Sequence, residues 1–99
     1  MKAAVDIQCL PLGVSEKEEI YNLVDKAIEV IKNAGHDYTV SAFSTTIEGD
    51  LDDIWPTALK AHLAVQEASG DNVISYIKLA TGAELGSTEE KLERQKRGQ

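Results

Sequence analysis

Residues 44–50 read Ser-Thr-Thr-Ile-Glu-Gly-Asp and run directly into Leu51-Asp52-Asp53-Ile54-Trp55-Pro56. The first part has the two-residue alternation of a strand, and the β-branched Thr45, Thr46 and Ile47 favour extended backbone. In the second part, Asp50, Asp52 and Asp53 stand where the partial positive charge of a helix N-terminus favours acids, and Pro56 is expected in the first turn. Beyond it, Ile54, Ala58, Ala61, Val65 and Ala68 recur at helical spacing as far as Ser69-Gly70, which predicts a helix over about 51–69. A strand that passes into a helix without a loop sets the wiring of one half of the domain. The rest of the chain can be read outward from it.

Upstream, Ala3 to Leu10 alternates Val5, Ile7 and Cys9 against Asp6, Gln8 and Leu10, and Pro11-Leu12-Gly13 ends this first strand. Ser15 and Glu18 have the spacing of a capping box, followed by Ile20, Leu23, Val24, Ala27, Ile31 and Ala34 on one face and Gly35 at the expected left-handed end. This predicts a first helix over about 16–34. His36 to Phe43 reads as an extended segment that pairs with Ser44–Asp50 in a hairpin turning near Phe43–Thr45. Downstream, Val73 to Ala80 alternates as a fourth strand. The order βαββαβ predicts an α+β, ferredoxin-like sandwich, a four-stranded antiparallel sheet with two helices on one face. The domain is expected over 1–86, with 87–99 a short, charged C-terminal helix or tail.

Composition removes several classes of function. The chain has 99 residues, with 17 acids against 10 bases and a net charge of −7, which disfavours nucleic acid and anionic membrane surfaces and suits a cationic or neutral partner. One cysteine cannot form a Cys-x-x-Cys metal loop, and no apolar run has the length of a membrane span. No basic-then-apolar leader precedes the first strand, so a reducing cytoplasm is the expected location. An RNA-binding sheet would need several aromatics, yet there is one Phe, and both arginines lie in the tail. An acylphosphatase-like loop would need an arginine where Pro11-Leu12-Gly13-Val14 stands. No nucleophile, base and orienting group can be grouped by spacing, so no enzyme activity is expected.

Pro11-Leu12-Gly13, the Thr-Thr-Ile-Glu-Gly-Asp element before an acidic helix start, Lys60-Ala61-His62 and a short charged segment after the last strand carry a resemblance. Over nearly its whole length the chain resembles the YkoF-like and UPF0045 (DUF77) proteins, a ferredoxin-like family associated with thiamine binding. It departs from the family at Leu79-Ala80-Thr81-Gly82, where relatives often carry an acidic-basic pair, and at Pro56. The resemblance implies a non-catalytic protein that binds thiamine or a related aminopyrimidine or thiazolium compound, with no resident cofactor. It also implies a homo-oligomer, dimer or tetramer, built through the open face of the sheet.

Thiamine joins an aminopyrimidine to a permanently cationic ring, so its site needs a carboxylate, hydroxyls or backbone amides, and an aromatic or acidic wall. The residues expected to supply these are Glu48 with Thr45, Thr46, Ser44, Ser41, Leu10 and Trp55. Strict alternation puts Thr46 and Glu48 on one sheet face and Thr45 and Ile47 on the other. Each has a plainer reading. Glu48 can be a solvated strand carboxylate, the threonines mere β-formers, the serines local turn bonds, and Trp55 a cap on the core. His36 and His62 read as packing or surface residues, and Cys9 as a small core hydrophobe. A structural or regulatory assembly protein, its open sheet face filled by another copy, is the rival function.

Overall fold

The computed structural model describes residues 1–82; the charged 87–99 segment lies outside the described residues. The elements are β1 (Lys2–Pro11), α1 (Lys17–Ala34), β2 (Asp37–Val40), β3 (Thr45–Asp50), α2 (Leu51–Ser69) and β4 (Val73–Thr81). The sheet has the order β2-β3-β1-β4 with every neighbouring pair antiparallel, as the ferredoxin-like reading requires.

One layer of the core comes from β1 and β3, where Ala3, Val5, Ile7, Cys9 and Ile47 point toward the helices. Leu23, Ala27 and Ile31 of α1 and Ile54, Ala58, Ala61 and Val65 of α2 form the other. The alternation in β1 is therefore the one expected, with Asp6, Gln8 and Leu10 on the opposite face and half-buried. Gly35 and Gly70 end the helices in left-handed conformation, at φ 82° and 69°. Ala34 and Ala68, assigned to the apolar faces, are exposed because each lies in the last turn, beyond the reach of the sheet.

Four local expectations need correction. Glu16, not Ser15, caps α1, and its side chain makes no capping bond. The chain enters the helix one residue later than a Ser15–Glu18 box needs, so the serine falls outside the cap position. Pro56 sits inside α2, beyond its first turn, and leaves the carbonyl four residues earlier without its usual amide donor. The cap there is Asp50, whose carboxylate accepts from the Asp52 N–H at 3.0 Å. The hairpin turns over Ser41–Ser44 rather than Phe43–Thr45, closed by Ser41 N–H to the Ser44 carbonyl at 2.9 Å. Ala42 and Phe43 thus belong to the turn and not to β2.

Gly49 explains the glycine of the quoted stretch. It lies on the helix-facing side of β3, and a Cβ there would stand 3.0 Å from Ile54 Cγ2. Ile54 is fully buried and has nowhere to go. Gly49→Val is therefore expected to destabilise the domain by about 1–3 kcal/mol through overpacking. Urea unfolding checks this, and an unchanged midpoint would mean that α2 can ride outward at no cost.

Candidate ligand cleft

β1 outruns β3. The β1–β3 ladder ends with Ile7 opposite Thr45, whereas β1 continues to Pro11 against β4. The space beside Gln8–Leu10 is not filled by a strand but roofed by α1 and by the Ser41–Ser44 turn, which leaves a cleft of about 290 Å³. That lies at the lower end of small-molecule sites, roughly 300–1,000 Å³. Its inner wall is apolar, with Ile7, Leu10, Ile20, Val24, Ile28 and Ile31, and its polar residues are Gln8, Ser41, Ser44, Thr45, Tyr21 and Asp25. Asp25 is the one charged side chain among the described lining residues.

At the mouth stand Tyr21 and Phe43, the latter 81% exposed at the tip of the turn. An aromatic ring left this bare has no packing role to account for it. The Lys17 ammonium already lies 5.7 Å from the centroid of Tyr21, so the aromatic wall open to a ligand is Phe43. The turn is held by two bonds to one carbonyl, since the Ser41 amide and hydroxyl both donate to Ser44 O at 2.9 Å.

The residues expected to form one site fall into three places. Thr45, Ser44, Ser41 and Leu10 line the cleft. Thr45 is buried on the helix side of the sheet, because it pairs with Ile7 and shares its direction. Glu48 and Thr46 lie on the open face, in register with Ala4 and Asp6. There Ser44 Oγ and Thr46 Oγ1 both donate to one Asp6 carboxylate oxygen, at 2.8 and 2.9 Å, which ties the turn to β1 across the open face. Glu48 is half-buried and lies in the row Asp37–Glu48–Ala4. Trp55 is in a third place, a shallow hollow of about 310 Å³ with Leu51, Asp52, Pro56 and Leu79. Sequence reasoning missed Tyr21, Asp25 and Phe43, since nothing in an amphipathic helix or a turn marks which residues will border a gap in the sheet.

Both histidines make side-chain bonds. His36 Nε2 and Thr57 Oγ1 are 3.0 Å apart, linking the start of β2 to α2. His62 Nδ1 meets Ser75 Oγ, which donates to Cys9 Sγ at 3.4 Å. Burial pushes the Cys9 thiol above its ordinary pKa, and the Ser75 bond offsets this only in part. Less thiolate is then present at a given pH, so iodoacetamide at pH 8 is expected to alkylate native Cys9 about tenfold or more slowly than the urea-unfolded chain. Equal rates would show the thiol to be accessible in the native state. Among the described residues no His, Cys, Asp and Glu cluster is suited to a metal ion, and no helix is long and apolar enough to cross a membrane.

Fold and cleft together define a ferredoxin-like α+β domain with a small-molecule-sized gap at one end of its sheet. Residues 5–96 match the family model described as thiamine-binding protein, and the chain belongs to that family. It is 36% identical over 76 residues to a UPF0045 protein of Clostridium perfringens, covering 76% of this chain and 77% of that one. Among solved structures, a hypothetical protein from Methanocaldococcus jannaschii is 30% identical with a TM-score of 0.83, covering 96% of each chain. A domain of unknown function DUF77 from Bacillus cereus is 31% identical with a TM-score of 0.77, covering 91% of this chain and 85% of that one.

Proposed function

We propose that this protein binds thiamine, or a compound sharing its aminopyrimidine and thiazolium rings, in the cleft between α1 and the β2–β3 turn, and does not transform it. The observation that carries this reading is the cleft itself, an apolar gap of about 290 Å³ bordered by four hydroxyl residues, one carboxylate and an exposed phenyl ring. The family's description as thiamine-binding supplies the ligand class. A flat ring fits the apolar wall, and a fixed positive charge is drawn to Asp25 within a chain of net charge −7. Thr45 offers a hydroxyl, Ser41 and Ser44, whose protons are engaged by the Ser44 carbonyl and by Asp6, offer acceptor oxygens, and Leu10 forms part of the wall. Isothermal titration of the intact chain with thiamine tests the reading, and absence of heat and of any competing ligand on native mass spectrometry would sink it.

In the same proposal the protein is a cytoplasmic homo-oligomer. The open face supports this, since it carries a half-polar strip of Asp6, Ser44, Thr46 and Glu48 beside exposed Ile74 and Tyr76. Strand β4 adds a nine-residue sheet edge, of the kind that proteins ordinarily cover. Glu48 and Thr46 act there, at an interface between copies, rather than in the cleft. Sedimentation at micromolar concentration is expected to give a dimer or tetramer; a monomer ends the idea.

A further inference from the structure

In an antiparallel ladder the N–H and C=O of one residue point to the same neighbour, and successive residues alternate between the two neighbours. Two bonds fix which way each residue of β1 points. Leu12 N–H donates to the Asn72 carbonyl at 2.9 Å, and the Lys2 carbonyl accepts from Gly82 N–H at 3.1 Å, both on the β4 side. The register keeps one offset from Ala3 opposite Thr81 to Pro11 opposite Val73. Even-numbered residues of β1 therefore bond to β4, and odd-numbered ones face β3.

On that side Ala3, Val5 and Ile7 find Gly49, Ile47 and Thr45. The next odd residue is Cys9, whose counterpart by the same register would be Phe43. Phe43 has turned away, because the Ser41–Ser44 bond closes the hairpin one step earlier. The β1–β3 register stops at Ile7 opposite Thr45, so the peptide groups of Cys9 point past the end of β3 into the gap. Cys9 lines the cleft. A donor and an acceptor from one residue thus lie side by side at an apolar wall, where leaving both unmade is costly.

We propose that this peptide edge of Cys9 is the recognition element of the cleft, and that it takes an aminopyrimidine by its ring-nitrogen and amine edge. The proposal rests on the cleft being the ligand site, as argued above. Cys9 N–H donates to the ring nitrogen, and the adjacent exocyclic amine donates to the Cys9 carbonyl, so that the heterocycle continues the sheet where β3 stops. The thiol takes no part. The pair discriminates chemically, since a ring with an oxo group in place of the amine carries its proton on the ring nitrogen and sets N–H against N–H. A side-chain hydroxyl could rotate to suit either ring; a peptide edge cannot. This is why discrimination is expected here and not from Ser41, Ser44 or Thr45.

The test is NMR of the ¹⁵N-labelled full chain titrated with ¹⁵N-labelled 4-amino-5-hydroxymethyl-2-methylpyrimidine, with thiamine, and with the 4-oxo analogue. The expected result is a downfield shift of the Cys9 amide proton, a scalar coupling across the N–H···N bond, and Cys9 amide exchange slowed by about tenfold or more. The 4-oxo analogue is expected to bind about tenfold or more weakly, as for a site whose buried polar groups are left unpaired. If the ligands shift Tyr21, Asp25 and Phe43 but leave the Cys9 amide uncoupled, or if the oxo analogue binds equally well, the peptide-edge proposal falls while binding in the cleft stands. If nothing shifts at millimolar concentration, both fall. If the Cys9 amide is already protected without ligand and opens on dilution, a second copy holds that edge and the proposal is overturned.

Discussion

Replacing Ile47 by alanine is expected to lower the free energy of unfolding by about 2–5 kcal/mol, the range for truncating a fully buried branched side chain. Ile47 is fully buried, in the middle of β3, opposite Val5 on one side and Tyr38 on the other. It faces a layer in which Ile31 and Ile54 are also fully buried, so the space left cannot be refilled from solvent-exposed neighbours. In a small domain whose whole stability is about 5–15 kcal/mol, a loss of this size takes a large fraction of it. Ile47→Val removes one methylene and should cost only about 0.5–1.5 kcal/mol. Urea titrations followed by far-ultraviolet circular dichroism measure both. If the alanine variant lost no more than the valine one, β3 would not be the central member of the core.

The second large effect is on binding. Asp25→Asn keeps the shape of the cleft and removes its charge, and losing one charge-assisted contact to a cationic ligand costs about 1.5–3 kcal/mol, or roughly 10- to 150-fold in thiamine affinity. Glu48→Gln removes a charge from the open face of the sheet, a turn of strand away and on the other side. It is expected to leave thiamine affinity within about twofold, with only long-range screening at work. Calorimetry on the two variants separates the cleft from the open face. The reverse order of effects would move the ligand to the Glu48 side of the sheet and take the present assignment with it.

These two variants also mark where the amino-acid sequence stops being legible. Ile47 is visible as a core residue without a structure, because strand periodicity and the apolar partners Val5 and Ile7 demand that one face be covered. The same holds for Ala58, Ala61 and Val65, for the left-handed glycines at 35 and 70, and for the order of elements, since each depends on local spacing and on residues within a few positions. The alternation also separates Thr45 from Thr46 and Glu48, as the register bears out.

What the sequence could not decide is where strands end relative to one another. That β1 passes Thr45 by several residues depends on the register between segments some forty positions apart and on where a turn without a strong Gly signal closes. The cleft is made by that mismatch in length, and so Asp25, Tyr21 and Phe43 become its border only once α1 lies across it. In the same way, the pairing of Asp6 with Ser44 and Thr46, and of His62 with Ser75, joins residues that no spacing relates. Local propensity and periodicity, which act over a few residues, determined the elements and their buried faces. The site arose from packing between elements, and only the tertiary structure brings those surfaces together.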